Sequence, residues 1–203
     1  MSSRSAQIVV PYRGESGKRR LDAPQELKAQ LALAMLGDVL TAARVVGPTF
    51  LVTSDPAGRA LADELGAEVV DDPGGGQGPA VAAGLERLAG GTVLVVNADL
   101  PCVVPHDLRT LAGAAELGAV GLVEAEDGTT NALALPRPDL FEPLYGPGSA
   151  ERFREHFAGL GLTAIAAAIP NLADDVDTVE DLRRVGMRAG PRTQAALGTV
   201  LRP

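Results

Sequence analysis

The sequence has 203 residues, enough for one domain with a sizeable core, and its 46% apolar and 22% charged residues are typical of globular rather than disordered chains. A formal net charge of −8 argues against a surface for nucleic acid or an anionic membrane, although a local basic pocket can still bind a small anion. The single cysteine, Cys102, excludes an internal disulfide and a multi-cysteine zinc site, and it fits a reducing cytoplasm.

Short apolar runs alternate with amphipathic helical stretches along the chain. Strands are predicted over residues 6–11, 49–54, 67–71, 92–97, 119–124, 131–136 and 162–168. Helices are predicted over residues 24–46, 56–65, 79–88, 105–117, 151–157 and 178–185. This alternation indicates βαβ units, and continuously apolar strands indicate a sheet that is covered on both faces. We therefore expect one doubly wound α/β domain over residues 1–187, with a mostly parallel central sheet, followed by a mobile C-terminal tail, 188–203.

No targeting or membrane segment is predicted. The N-terminal stretch MSSRSAQIVV holds one Arg and an apolar run too short for a signal peptide. No apolar run approaches the ~20 residues that a membrane helix needs. We expect a cytoplasmic protein with neither a membrane nor a nucleic acid as its partner.

The loop after the first strand carries four basic residues, Arg13, Lys18, Arg19 and Arg20, with glycines among them. A flexible cationic loop at the carboxyl end of a strand suits a triphosphate, because backbone N–H groups and basic side chains neutralise its charge. The loop matches neither the GxxxxGK[ST] spacing nor the GxGxxG pattern. A solvated basic surface loop is the alternative.

A glycine run, residues 74–76 within DDPGGGQG, precedes the helix predicted over 79–88. Three successive glycines indicate either positive φ angles in a tight turn or close approach of the backbone to a ligand.

The stretch VLVVNADLP, residues 93–101, places the Asp99 carboxylate where an apolar strand leaves the core. A buried carboxylate without a partner is costly, and a divalent cation removes that cost. Mg²⁺ prefers oxygen ligands and is usually held by one or two carboxylates plus substrate phosphates. The alternative is that Asp99 caps the next helix, which the intervening Pro101 makes awkward. We predict that Asp99 is a metal ligand.

A second acidic stretch, DDVDT at residues 174–178, precedes the last predicted helix. Thr178, with Asp181 three residues later, matches a variant of the capping box. A cap needs only one of these groups, so three carboxylates in four residues exceed what capping explains. Asp177 is the predicted second metal ligand.

Five motifs occur in a fixed order: KRRL (18–21), NADLP (97–101), DGTTNALALP (127–136), YGPGS (145–149) and DVDTVEDL (175–182). With them the chain resembles the 2-phospho-L-lactate guanylyltransferase family, whose bacterial members are phosphoenolpyruvate guanylyltransferases of coenzyme F-420 biosynthesis. The resemblance runs from about residue 8 to residue 185. ADLP and DVDT are shared across the wider nucleotidyltransferase superfamily, whereas TTNALALP with YGPGS is more specific.

The resemblance implies a Rossmann-like nucleotidyltransferase fold. It also implies an enzyme that joins GMP from GTP to a phosphorylated three-carbon acid and releases pyrophosphate. It implies Mg²⁺ held by Asp99 and Asp177. Lys18 and Arg20 would neutralise the triphosphate and the leaving pyrophosphate, which makes Lys18, Arg20 and Asp99 the predicted catalytic residues. The predicted nucleotide-binding residues are Pro11, Lys18, Arg20, Gly76 and Gly78.

The family contacts its acid through a Thr, a Gly and a Ser, and the matching positions here are Thr130, Gly146 and Ser149. We favour phosphoenolpyruvate over 2-phospho-L-lactate, because the composition resembles that of high-GC bacterial proteins. A homodimer is expected, as dimers are common among small enzymes of this class.

The chain departs from the family pattern in its glycine-rich turn, which commonly continues as GLNAAL and reads GQGPAV here, at residues 76–81. Within the superfamily, the alternative is a nucleotidyltransferase acting on molybdopterin or a sugar phosphate, but its GxGTRM-like first loop is missing. A glycosyltransferase would prefer an Asp at position 97, where this chain has Asn97. A non-catalytic nucleotide-binding protein is the alternative of another class.

Overall fold

The computed structural model describes residues 5–14, 24–176 and 178–200. The strands are β1 (Gln7–Pro11), β2 (Thr49–Val52), β3 (Glu68–Val70), β4 (Val93–Val96), β5 (Val120–Glu124), β6 (Thr130–Leu135) and β7 (Ala164–Ala166). The helices are α1 (Gln25–Val46), α2 (Pro56–Leu65), α3 (Gln77–Leu85), α4 (Pro105–Glu116), α5 (Ser149–Gly159), α6 (Pro170–Ala173), α7 (Val179–Val185) and α8 (Pro191–Val200), and a 3-10 turn covers Pro138–Leu140.

The strands form one seven-stranded sheet in the order β3–β2–β1–β4–β6–β5–β7. β6 is antiparallel to both of its neighbours, β4 and β5, and the remaining pairs are parallel. The predicted α/β class and the mostly parallel sheet are therefore confirmed. The antiparallel direction of β6 is what only the structure reveals, because an apolar run such as TNALAL does not indicate its direction.

Helices cover both faces of the sheet, so the strands are apolar at successive positions. Ile8 and Leu94 face α1, α2 and α4 in one core cluster, whereas Val9 and Val95 face α3 and α5 in another. These four side chains are completely buried. The alternation follows from the two-residue period of a strand.

Helix α1 spans 22 residues, with ten of them buried, and is held at the centre of the fold by its contacts with the sheet, α2, α4 and α8. By length and composition alone it would also suit a membrane span. Slightly more than half of that apolar window is buried inside the protein. Core helices of α/β proteins pass the same test, and the burial of α1 identifies it as one.

The segment that the sequence analysis set apart as a tail contains α8, which packs along α1. Asp38, buried in the middle of α1, accepts hydrogen bonds from the backbone N–H groups of Arg192 and Thr193 at 3.1 and 2.9 Å. A carboxylate in a helix interior thus caps the start of another helix, which satisfies donors that α8 itself leaves unpaired.

Candidate active site

A cavity of about 150 Å³ lies where the strand order of the sheet reverses. From β1 the chain crosses through α1 to β2 on one side, and it returns through α3 to β4 on the other side. Ligands of open α/β sheets bind at such a switch point, outside the carboxyl ends of the strands. The cavity is lined by Pro11, Tyr12, Arg13, Gly14, Ala32, Gln77, Asn97, Ala98 and Asp99.

Asp99 lies just past the end of β4 and lines this cavity, with its Oδ1 atom buried. Its backbone carbonyl accepts a hydrogen bond from the N–H of Val176 at 3.2 Å. The segment after α6 therefore runs beside the end of β4. The two predicted acidic motifs, whose bonded residues Asp99 and Val176 are 77 positions apart in the chain, come together through their backbones. Asp177, the predicted second metal ligand, lies outside the described residues.

The helix cap at the second acidic motif is formed by Thr178 and Asp181. The Thr178 hydroxyl accepts from the Asp181 N–H at 3.2 Å, and Asp181 Oδ2 accepts from the Thr178 N–H at 2.8 Å. The predicted capping box is therefore confirmed. Because Thr178 is the N-cap of α7, the cap requires none of the three carboxylates at positions 174, 175 and 177.

Two of those carboxylates have partners that hold the segment in place. Asp174 forms ion pairs with Arg184 of α7 and with Arg188. Asp175 Oδ1 accepts a hydrogen bond from Asn131 Nδ2 at 3.5 Å. These contacts attach the acidic segment to the helix that follows it and to β6.

The donor set around Asp99 fits a hard cation that also binds substrate oxygens. Among residues 5–14, 24–176 and 178–200, no group of three or more His, Cys, Asp or Glu side chains is placed to hold a metal by itself. Mg²⁺ does not require such a group, since one or two carboxylates and the phosphates of a nucleotide complete its coordination. Asp99 is the carboxylate that lines the cavity in the described part of the chain, and its role as a metal ligand stays a prediction.

The basic loop contributes Arg13 to the cavity, while the predicted Lys18 and Arg20 lie outside the described residues. Arg13 Nε is 3.7 Å from Asp72 Oδ2, and Asp72 Oδ1 accepts from the Gly74 N–H at 2.8 Å. The end of β1 is thereby connected to the glycine-rich turn.

The glycine-rich turn has positive φ at all three successive glycines, 80° at Gly74, 81° at Gly75 and 126° at Gly76. Only glycine adopts such angles at low cost, which accounts for the run. Gly78 lies in the first turn of α3, where an added Cβ would stand 2.6 Å from the Cβ of Pro143. The nucleotide contacts of Gly76 and Gly78 stay predictions, and the geometry at Gly78 shows tight packing against Pro143.

The residues predicted to bind the acid meet at the start of α5. The Ser149 hydroxyl donates to the Thr130 hydroxyl at 3.1 Å, and both residues are buried. The Ser149 N–H donates to the Gly146 carbonyl at 3.0 Å. Gly146 and Gly148 have φ of 117° and 69°, so the YGPGS loop requires glycine at both positions.

The YGPGS loop is held from beneath by Arg152 and Tyr145. Arg152 donates to the carbonyls of Leu144 and Pro147 at 2.8 and 2.6 Å. The Tyr145 ring packs edge-on against Phe153 with centroids 5.3 Å apart, and burial raises the pKa of its hydroxyl. These contacts hold the backbone of the loop against α5, and its predicted role in binding the acid stays a prediction.

The antiparallel direction of β6 brings Thr130 to the cavity edge of the sheet. β6 pairs with β4 so that Ala132 lies opposite Val96, which puts the beginning of β6 beside the end of β4. A parallel strand would carry the same residues to the far edge. The TTNALALP motif thus starts at the site and runs away from it.

A ladder of three side-chain amides connects these parts, and sequence reasoning assigned a role to none of them. Gln77 Nε2 donates to Asn97 Oδ1 at 2.6 Å. Asn97 Nδ2 donates to the Thr130 carbonyl and to Asn131 Oδ1 at 3.3 and 3.4 Å. Asn131 Nδ2 donates to the Ala173 carbonyl at 3.1 Å. The signal in the sequence is that Asn97 directly follows one apolar strand and Asn131 lies near the start of another. A polar side chain at such a position needs hydrogen-bond partners.

Comparison with known proteins agrees with this architecture. The sequence profile of the MobA-like NTP transferase domain matches residues 19–173. The phosphoenolpyruvate guanylyltransferase of Geodermatophilus obscurus is 38% identical over 90% of this chain and 86% of its own. That of Streptomyces scabiei is 36% identical over 97% of each chain.

Solved structures share the fold at low identity. A protein described as a nucleotide-diphospho-sugar transferase from Desulfovibrio desulfuricans G20 superposes with a TM-score of 0.77 at 15% identity, covering 96% of this chain and 94% of its own. A nucleotidyl transferase from Methanothermobacter thermautotrophicus gives 0.67 at 21% identity, over 97% of this chain and 100% of its own.

Proposed function

The chain belongs to the family of MobA-like NTP transferase domains, and from this premise we propose that it is a phosphoenolpyruvate guanylyltransferase. It would join GMP from GTP to phosphoenolpyruvate and release pyrophosphate, a step of coenzyme F-420 biosynthesis. The observation that carries the proposal is that two groups of residues, each suited to one of the two substrates, lie side by side. Asp99 lines the switch-point cavity, and the Thr130–Ser149 hydroxyl pair lies next to it, connected through Asn97.

The reaction requires positioning and charge neutralisation more than covalent chemistry. An oxygen of the acid's phosphate attacks the α-phosphorus of GTP, the bond from that phosphorus to the β-phosphate bridging oxygen breaks, and pyrophosphate leaves. Because the attacking phosphate is already ionised at pH 7, no general base is required. The protein's task is to hold both substrates in line.

We assign the roles of the chain's residues accordingly. Asp99 and Asp177 would hold Mg²⁺, which when bound neutralises charge on the α-phosphate and the pyrophosphate. Lys18 and Arg20 would bind the triphosphate, beside Pro11 of β1. Two groups support an acid site in particular, the buried hydroxyls of Thr130 and Ser149 and the backbone of the Gly146 loop.

Pyrophosphate release tests the reaction. Purified protein is incubated with GTP and Mg²⁺, and phosphoenolpyruvate, 2-phospho-L-lactate and 3-phospho-D-glycerate are added one at a time. We expect phosphoenolpyruvate to give the highest rate and omission of Mg²⁺ to abolish it. GTP binding without pyrophosphate release from any acid would contradict the proposal and favour a non-catalytic nucleotide-binding protein.

We also propose that the reaction takes place in the cytoplasm, where the one cysteine stays reduced. The homodimer stays a prediction, which sedimentation velocity would check.

A further inference from the structure

The three amides between the cavity and the acidic segment form a ladder with a fixed direction. A side-chain amide has a donor end and an acceptor end, so the partner of one end determines what the other end offers. Asn131 places its Nδ2 against the Ala173 carbonyl, and Asn97 places its Nδ2 against the Thr130 carbonyl. A carbonyl only accepts, so neither amide can be reversed without losing a hydrogen bond.

The direction of Asn97 determines that of Gln77. With Nδ2 on the Thr130 carbonyl, Asn97 presents Oδ1 to its other neighbour, and Gln77 meets it with Nε2 at 2.6 Å. Rotation of the Gln77 amide by half a turn would place its Oε1 against Asn97 Oδ1. No described residue donates a hydrogen bond to Gln77 Oε1. Gln77 lines the cavity, and with one Nε2 proton held by Asn97 it can offer a ligand there its Oε1 acceptor, beside the second Nε2 proton.

We infer that Gln77 determines the choice of guanine, by accepting hydrogen bonds through Oε1 from the exocyclic amino group N2 and the neighbouring N1–H of the base. The inference rests on the proposed function and adds a specificity-determining residue to it. Guanine is the base whose edge carries both donors side by side, with N2–H₂ absent from the other purines. The carbonyl oxygen of Gln77 has two lone pairs and can accept from both.

The packing around Gln77 agrees with this role. The next residue, Gly78, lies against Pro143 and has no side chain, so it offers no side-chain amide to a ligand. Gln77 is the first residue of α3 and follows the N-cap residue Gly76, whose φ is 126°.

Comparison of GTP with ITP tests the assignment, because ITP lacks only the N2 amino group. We measure kcat/KM for each nucleotide in pyrophosphate release at saturating phosphoenolpyruvate. The unmodified protein is expected to prefer GTP by about tenfold, the effect of one hydrogen bond to a buried polar group. In Gln77→Met, which keeps length and volume but has no such acceptor, kcat/KM is expected to fall for both nucleotides, because each loses the N1–H bond, and to fall further for GTP, so that the GTP/ITP ratio approaches one.

The GTP/ITP ratio separates recognition of the base from general damage to the site, which lowers both rates together. Gln30→Met is the matched control, since Gln30 is exposed on α1 away from this cavity, and it should keep the original ratio. Asn97→Ala removes the acceptor that holds the Gln77 amide and should also lower the ratio. An equal loss with both nucleotides in Gln77→Met, or an unchanged ratio there, would overturn the inference.

Binding of GTP and ITP without any acid, measured by calorimetry, distinguishes failure of the inference from failure of the proposed function. If GTP binds about ten times more tightly than ITP, Gln77→Met removes this difference, and no acid elicits pyrophosphate, the proposed reaction fails and the role of Gln77 stands. If pyrophosphate is released equally well from both nucleotides, the reaction stands and the role of Gln77 fails.

Discussion

Ser149 donates its hydroxyl proton to the hydroxyl of Thr130 at 3.1 Å, in a fully buried contact between the first residue of α5 and the first residue of β6. The pair is polar, whereas most of the buried side chains around the sheet are apolar. Because Ser149 donates to Thr130, the hydroxyl proton of Thr130 stays available for a third group, and an ionised acid offers only acceptors. This is the geometry expected of a site for an acidic ligand.

Ser149→Ala is expected to raise the KM for phosphoenolpyruvate by roughly tenfold, because the Thr130 hydroxyl, which would donate to the ligand, loses the Ser149 proton that orients it. The KM for GTP should change less than twofold. Steady-state kinetics with each substrate varied in turn measures both values. Thr129→Val is the control, since its hydroxyl bonds only to Asp127 in a local turn. Equal changes in both KM values would remove Ser149 from the acid site.

Asp99→Asn is expected to lower kcat at least 100-fold while the fold is retained, because the amide keeps the shape of the side chain and removes the charge that holds the metal. Pyrophosphate release over a range of Mg²⁺ concentrations measures the loss, and circular dichroism checks the fold. Asp139→Asn, in an exposed ion pair with Arg137, serves as the control. Near-normal turnover in Asp99→Asn would argue against a metal ligand at this position.

Asp38→Ala is expected to destabilise the protein by about 2 kcal/mol, since it leaves two backbone donors of α8 without their acceptor. Urea denaturation followed by circular dichroism measures this change. Asp63→Ala, at an exposed position of α2, should have little effect. Stability equal to the unmodified protein would mean that α8 docks without this cap.

Two glycines in helices are expected to respond oppositely to the same substitution. At Gly84 of α3, an added Cβ would stand 2.5 Å from Val9 Cγ1 and 2.8 Å from Val52 Cγ2, so Gly84→Ala should destabilise by about 1–3 kcal/mol. At Gly113 of α4 an added Cβ meets nothing within 4 Å, so Gly113→Ala should stabilise by roughly 0.5–1 kcal/mol. Denaturant midpoints of the two variants check both signs.

The thiol of Cys102 is expected to resist alkylation in the folded protein. Burial raises its pKa, so at any pH below that value it holds less thiolate than a free cysteine does, and the thiolate is the reactive form. Iodoacetamide labelling at pH 8, followed by mass spectrometry, should be slow in buffer and fast in urea. Rapid labelling of the folded protein would show that the packing around Cys102 opens in solution.

Several features were predictable because their causes are local in the chain. The Thr178 and Asp181 cap follows from two residues three apart, and the positive φ angles at residues 74–76 follow from the absence of side chains there. The position of Asp99 beyond a buried strand followed from the apolar run before it. The prediction that Thr130 and Ser149 lie in one site came from motifs rather than from physical reasoning.

Other features depend on contacts between distant segments. The roles of Asn97 and Asn131 required the pairing of β4 with β6, and the cap on α8 required a carboxylate 154 residues earlier in the chain. A single amide in a sequence has no direction, because its donor and acceptor ends are exchanged by rotation of one bond.

The sequence by itself determined the α/β class, most of the element positions, the acidic motifs and the family. Apolar periodicity, turn residues and short motifs encode these properties within a few neighbouring residues. The tertiary structure decided the antiparallel direction of β6, the docking of α8 and the direction of the amide ladder that ends at Gln77. These depend on which backbone carbonyls and carboxylates fold next to each side chain, and that information is spread over segments that meet only in the folded protein.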